Sequence, residues 1–211
     1  MKRAFDIVVG SLLAVVAVPV IVTTAIGCAI ALRAWPFFVQ SRVGANGRGF
    51  KIVKIRTLPT TVAPYLPKYE LDLESIPRFP RLVRRLHIDE LPQLFMVPAG
   101  SMSLVGPRPE MKSLADAMPD SFRHTRSAFR PGCTGLWQIS VDAHRLIGES
   151  PQYDVFYANH ARLRLDLWIL GRTVWSFLLR QTPITLDDVP LWARRSEPAV
   201  ERELVFEGVG D

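Results

Sequence analysis

The chain has 211 residues, 48% of them hydrophobic, and carries a formal net charge of +6 with a pI near 9.7. That length holds one buried core, or one core with an appendage, and argues against several domains. Positive charge beside so much apolar surface requires segregation along the chain and points to an anionic membrane surface or anionic small molecules. Nucleic acid is not expected, because zinc-finger spacing, an aromatic RNP pattern and a basic helical repeat are all missing. Cys28 lies in an apolar run and Cys133 in a Gly-rich turn, so no disulfide is expected and the count suits a reducing compartment.

From Ile7 to Leu32 the chain is uncharged for about 26 residues, roughly 39 Å as one straight helix, which exceeds the hydrocarbon thickness of a bilayer. A signal peptide does not fit: Lys2 and Arg3 resemble an n-region, but the run is too long for an h-region and no cleavage site precedes Arg33. An ordinary spanning helix carries its positive flank on one side, whereas here Lys2 and Arg3 precede the run and Arg33, Arg42 and Arg48 follow it. Pro19 near the midpoint removes a backbone donor and clashes with the carbonyl four residues back. A helix that enters lipid, bends at Val18-Pro19 and leaves by the same face satisfies both flanks. Ser11, Thr23 and Thr24 are the polar groups near enough to satisfy the freed carbonyl. The residues alone leave spanning and re-entrant arrangements open.

FFVQSRV (37–43) and GFKIVKIRT (49–57) read as strands joined through GANG, in which Asn46-Gly47 is a hairpin turn signal. As a phosphate loop this stretch is weak, since no Gly-Lys-Ser/Thr follows. Phe50, Ile52, Lys54 and Arg56 alternate onto one face of the second strand, so two cations project side by side. Residues 58–80 are rich in proline and predict a surface loop. Helical spacing begins near Asp89 and continues through Leu91 and Leu94, followed by SMSLVGPRPE (101–110) and the turn-rich RPGCTGLWQ (130–138), whose glycines suit close backbone approach. From about Ser150 to Arg180 the spacing of Leu163, Leu167, Leu170, Val174 and Phe177 predicts a helix. Trp168, Trp175 and the arginines at 162, 164, 172 and 180 suit a place in the headgroup layer; an amphipathic core helix reads equally well. The segment after Pro183 shows few anchors.

In LHIDELPQLF (86–95), Asp89 and Glu90 stand in a first helical turn, where acids complement the helix dipole and cap free amides. Their company favours chemistry: Arg84 and Arg85 just upstream, Arg108 fixed between two prolines, and Lys54 with Arg56 on a strand. A guanidinium pre-aimed in this way suits bidentate phosphate binding. One carboxylate could attack phosphorus while the other binds a divalent metal that neutralises a diphosphate. Spacing does not say which.

These stretches together resemble the bacterial monotopic phosphoglycosyl transferases, the bacterial sugar transferase group that starts glycan assembly on polyprenyl phosphate. The resemblance covers roughly residues 1–180. It is carried by Lys2-Arg3 and Asp6, Pro19, FFVQSRVGANGRGFKIVKIRT (37–57), Arg84, IDELPQLF (88–95), MSLVGPRPE (102–110), RPGCTGLWQ (130–138), and Asp154, Tyr157, Asp166, Leu170 and Thr173. It implies a mixed α+β (α/β) cytosolic body, a re-entrant membrane helix over 1–36 kinked at Pro19, a catalytic domain over 37–182, interfacial amphipathic helices and a tail over 183–211. It also implies the cytoplasmic face of the bacterial inner membrane, with membrane lipid in contact. Asp89 would attack the sugar-bearing phosphate of a UDP-sugar and release UMP, and polyprenyl phosphate would then take the phosphosugar. Glu90, with Asp89, would hold Mg²⁺. Lys54, Arg56, Arg84, Arg108, Gln138 and Arg145 would bind phosphates or substrate, with Asp166 as a supporting acid. Self-association into a homo-oligomer stays open.

The chain also departs from the family pattern. His87 stands where Ser usually opens a capping box with Glu90, Met96 and Ser101 replace the usual Asn and Asp, and the stretch before Arg84 is about three residues short. After Gln138 the sequence reads Ile139-Ser140-Val141-Asp142, which puts an aspartate where an arginine is usual; Arg145 is expected to reach back and replace it. A catalytically weakened relative acting as a membrane-bound scaffold is the alternative these changes motivate.

Overall fold

A computed structural model describes residues 1–62, 76–179 and 183–194, the side chains of 177–179 excepted. Of the expectations above, those for 63–75, the Phe177 side chain, Arg180 and 195–211 lie outside the described residues. The uncharged run forms one helix, α1 (Lys2–Leu32), which Pro19 does not interrupt. It is long and apolar enough to cross a membrane. The two faces of α1 differ. Asp6, Gly10, Ala14, Ala17, Ile21, Ala25 and Cys28 recur at intervals of three and four and are buried against the rest of the chain. Val8, Leu12, Val15, Val16, Ile26 and Ile30 point outward. Small residues fill the inner stripe because the body lies close: a Cβ on Gly10 would press on Val97 and one on Gly27 on Phe79. Both ends of α1 therefore touch the same body. The hydroxyl of Thr23 donates to the carbonyls of Pro19 (2.8 Å) and Val20 (3.2 Å), so this expected partner for the freed carbonyl, which belongs to Val15, is engaged elsewhere.

After α1, strands β1 (Phe37–Val43) and β2 (Gly49–Ile55) pair antiparallel, with Phe37 opposite Ile55 and Val43 opposite Gly49. Asn46 and Gly47 in the turn have φ of 56° and 70°, the left-handed values that the Asn-Gly signal requires. Strands β3 (Ser103–Val105) and β4 (Gly132–Thr134) form a separate parallel pair. Helices α2 (Arg78–Arg85), α3 (Lys112–Asp116), α4 (Asp120–Ser127), α5 (Gln152–His160) and α6 (Leu163–Leu179), with a 3-10 segment at Ile88–Met96, pack around them as a mixed α/β body. Its main core contains Ile52, Leu104, Leu136, Tyr157, Leu165 and Ile169; a second cluster joins Ala17, Ile21 and Ala25 of α1 to Ile55 of β2 and Val83 of α2.

The first turn of α1 is fixed to this body by charge. Asp6, 2% exposed, accepts hydrogen bonds from the Ser103 hydroxyl (2.8 Å) and the Leu104 N–H (3.1 Å). Lys2 donates to Asp166 (2.7 Å) and to the Val105 carbonyl (3.1 Å), and Arg3 donates to the carbonyls of Val97 and Pro98.

Two expectations need correction. The boundary at 183 falls inside the body: Ile184 bridges to Ser140, and Ile184, Val189 and Ala193 are buried in the main core. The single helix predicted from about Ser150 to Arg180 is, over the described residues, two helices, α5 and α6, because Ala161 at φ −56° and ψ 111° leaves the helical region. On α6, Leu165, Asp166 and Ile169 are buried, whereas Leu167, Val174 and Trp175 are exposed.

The β3–β4 contact depends on glycine. A Cβ on Gly132 would overlap the backbone of Gly106 and Thr134, and one on Gly106 would overlap the Arg130 carbonyl. Gly132→Ala is expected to lower stability by roughly 2–4 kcal/mol, since backbone rather than a flexible side chain would have to move. Thermal unfolding in detergent checks this, and an unchanged midpoint would show that the strands can part freely.

Candidate active site

Three elements deliver one charged cluster. Lys54 leaves β2, Glu90 leaves the 3-10 segment, and Arg108 leaves the loop after β3. Glu90 Oε1 accepts from Lys54 Nζ at 2.7 Å and from Arg108 Nη2 at 3.1 Å, with all three side chains largely buried. Burial would raise the Glu90 carboxyl, but Arg108 and Lys54 outweigh it and hold the group well below the usual carboxylate range. Burial lowers the Lys54 ammonium, and Glu90 restores part of that loss. Arg108 is aimed from two sides. Pro107 and Pro109 restrict its backbone, and Arg126 of α4 donates to its carbonyl at 2.6 Å while pairing with Asp154 of α5 at 2.7 Å.

Asp89 has a different environment. In a 3-10 turn adjacent side chains diverge by about 120°, so Asp89 does not share the direction of Glu90; it is 5% exposed, close enough to Lys54 and Glu90 to feel their charge, and its Oδ1 is buried without a hydrogen-bond partner among the described residues. Burial first, and the Glu90 charge second, push its carboxyl up to about 6, against the pull of Lys54 and Arg84. His87 precedes this turn at φ 54° and makes no side-chain cap; its N–H donates to the Arg84 carbonyl (3.1 Å), while the Glu90 side chain is turned into the cluster. The reciprocal capping box is therefore not formed here.

A cleft of about 240 Å³ opens over the cluster, lined by Arg42, Lys54, Glu90, Gln93, Arg108 and Cys133 among others. A neighbouring cleft of about 380 Å³ shares Arg108. Its other arginines are engaged, Arg126 with Asp154 and Arg123 with Asp116 and Asp120, and it has no acid of the pair, so the smaller cleft is the candidate site.

Several expected residues do not join the cluster. Arg56 donates to the Trp35 carbonyl and lies over the Phe38 ring. Arg84 lies near Thr57 and acts on Asp89 through its charge. Asp166 is 1% exposed and bonded to Lys2 and to the Tyr157 hydroxyl (2.8 Å); it anchors α1 and lines neither cleft. Gln138 lies beside Gly135, outside both clefts, with its buried amide atoms unpartnered among the described residues. Arg145 does not reach back. It pairs with Asp142 at 3.4 Å, and the Tyr153 hydroxyl also donates to Asp142 at 3.1 Å, so the substituted aspartate is compensated where it stands.

Sequence reasoning passed over Gln93, Cys133 and Arg126. Gln93 was detectable, because it follows Glu90 by three residues and such positions eclipse in a 3-10 helix. Arg126 gave no signal: it is in another helix and meets Arg108 only through the fold.

Among the described residues no three His, Cys, Asp or Glu side chains cluster as metal ligands. Mg²⁺ needs only one or two carboxylates when substrate phosphates complete its shell. The unpartnered Oδ1 of Asp89 and Oε2 of Glu90, whose two hydrogen bonds both fall on Oε1, are the oxygens that fit such an ion.

A family model described as bacterial sugar transferase matches residues 1–180, and the chain belongs to that family. Its relatives include UDP-N-acetylgalactosamine-undecaprenyl-phosphate N-acetylgalactosaminephosphotransferase of Aeromonas hydrophila, 31% identical over 84% of this chain and 43% of the relative. UDP-glucose:undecaprenyl-phosphate glucose-1-phosphate transferase of Caulobacter vibrioides is 32% identical over 84% of this chain and 69% of its own length. Exopolysaccharide production protein ExoY of Sinorhizobium fredii is 30% identical, over 82% and 83%. The chain thus spans less than half the length of the first of these and most of the other two.

The buried Asp89 has a consequence for stability. Its carboxyl ordinarily titrates at 3.8 and here at about 6. Between those values the folded chain keeps a proton that the unfolded chain has lost, so stability falls as pH rises through that window. Asp89→Asn, which cannot ionise, is expected to exceed wild type at pH 8 by on the order of 1–3 kcal/mol, with the gap closing near pH 4. Thermal unfolding at both pH values checks this; a gap independent of pH would contradict it.

Proposed function

We propose that the chain transfers a phosphosugar from a UDP-sugar to polyprenyl phosphate through a covalent ester on Asp89. The observation that carries this reading is an acid pair split between two environments. Glu90 is neutralised by Lys54 and Arg108, while Asp89 keeps a buried oxygen without a hydrogen-bond partner among the described residues. The Asp89 carboxylate forms a bond to the sugar-bearing phosphorus of the donor as the bond from that phosphorus to the UMP oxygen breaks, and UMP leaves. A phosphate oxygen of polyprenyl phosphate then attacks the same phosphorus, which frees Asp89 and yields the polyprenyl diphosphosugar. Lys54 and Arg108 hold the donor's diphosphate by charge-assisted hydrogen bonds, and Arg84 favours the ionised form of Asp89. Mg²⁺, held by Asp89 and Glu90 with the phosphates, would supply further charge neutralisation. Burial around Asp89 keeps water from the ester. The names of the Aeromonas and Caulobacter relatives, which pair a UDP-sugar with undecaprenyl phosphate, support the substrate classes.

Contact of both ends of α1 with one body supports a monotopic placement at the cytoplasmic face of the bacterial inner membrane. The outward apolar face of α1 would meet lipid and the exposed row of α6 would rest at the interface, with Pro19, inside the unbroken α1, as the position at which the helix can bend once in the bilayer. The scaffold alternative is disfavoured by the compensation of Asp142.

Incubation with Mg²⁺ and a panel of UDP-sugars is expected to release UMP and add one phosphosugar mass to the protein; Asp89→Asn should do neither, and UMP release by that variant would remove Asp89 from the role. Because the attacking group must be ionised, the rate should rise with pH to a plateau with a midpoint at about 6, where burial places the Asp89 carboxyl. Arg84→Ala should move that midpoint upward, and a midpoint that stays put would leave Arg84 outside the site.

A further inference from the structure

We propose that Gln93 binds the donor, its side-chain amide donating to the diphosphate of the nucleotide-sugar held between Lys54 and Arg108. This rests on the phosphosugar-transfer reading above. Gln93 is 3% exposed, lines the cleft with Lys54, Glu90 and Arg108, and its Nε2 is buried with no hydrogen-bond partner among the described residues. A buried amide N–H is nearly always paired in a folded protein, and one left unpaired inside a cleft of cations is a donor reserved for something that enters.

The local backbone explains the aim. The segment Ile88–Met96 is a 3-10 helix, in which side chains three apart stand one above the other, so Gln93 extends the face that presents Glu90. Asp89 in the same register stands over the buried Pro92, which carries no polar group. The chemistry of the atom selects the ligand class. Nε2 only donates, and the ionised oxygens of a diphosphate only accept, so the match leaves no polar group stranded. A sugar hydroxyl would bring a donor of its own. Lys54 and Arg108 already share one carboxylate, and the amide adds hydrogen bonds to the same oxyanion without adding charge.

The proposal predicts effects of opposite sign. Gln93→Met keeps side-chain length and loses the donor. Without ligand its thermal midpoint should equal or exceed wild type, because an unsatisfied buried N–H has been removed. Its affinity for UDP and for UDP-sugars should fall roughly tenfold or more, as expected when a hydrogen bond to a charged group is lost. Gln93→Leu, a second apolar variant, should behave in the same way. Binding would be measured calorimetrically in detergent with Mg²⁺, using UDP-glucose, UDP-galactose, UDP-N-acetylgalactosamine, UDP and UMP.

The expected result is a similar loss for UDP and for every UDP-sugar that wild type binds, with a smaller loss for UMP, and an increase in KM for the donor exceeding any fall in kcat. Three results would overturn the assignment: donor affinity equal to wild type in both variants; a ligand-free midpoint lowered in both, which marks a structural amide; or a loss confined to one sugar, which places the amide on the carbohydrate. Wild type that binds none of the UDP compounds would instead overturn the transfer reading, so the two failures are distinguishable.

Discussion

Everything at the site depends on how one carboxylate is neutralised. Glu90 takes Lys54 and Arg108 onto a single oxygen in a cleft largely closed to water, where two cations without that acid would repel each other at high cost. Once Glu90 is committed, its neighbour in the chain is left with burial and, among the described residues, no hydrogen-bond donor for Oδ1. Adjacent acids of similar intrinsic strength are thereby driven apart and their order is reversed, the ordinarily weaker Glu90 kept well below its usual range and Asp89 moved up to about 6. Such a split is how a single fold can draw two different roles from two carboxyl groups.

The rest of the body holds that arrangement in place. Glycines at 106 and 132 let the β3 and β4 backbones touch, which sets where the Pro-Arg-Pro loop begins. Arg126, paired with buried Asp154, then fixes the Arg108 carbonyl, so an ion pair between α4 and α5 determines the direction of a guanidinium in the cleft. On the other side, the small-residue stripe of α1 lies against the 3-10 segment and α2. The apolar helix α1 thus forms one wall of the acid-bearing unit, and its N-terminal end is locked to β3 and α6 through Asp6 and Lys2.

The departures from the family pattern also find physical explanations. His87 lacks a capping hydroxyl, yet the chain turns there through a left-handed residue and satisfies the His87 N–H with the Arg84 carbonyl, so the turn is made by backbone. Asp142, an acid where a base is usual, is compensated by Arg145 and by the Tyr153 hydroxyl, outside both clefts. Neither change alters the Glu90 cluster.

What could be read in one dimension was whatever depends on neighbours in the chain: the apolar length of α1, the Asn-Gly hairpin, the acid pair and the rigid loop around Arg108. Each rests on local sterics or on composition, which a linear string contains. The sequence misled where one helical period runs across a break, as at Ala161 between α5 and α6, and in the last segment, where Ile184, Val189 and Ala193 turn inward although Leu191 and Trp192 beside them are exposed. Partnerships over long separations were decided by tertiary structure alone. Lys2 with Asp166, and Arg126 with both Asp154 and the Arg108 carbonyl, depend on which elements pack together, because a charge placed on the chain does not name the partner that burial will bring to it.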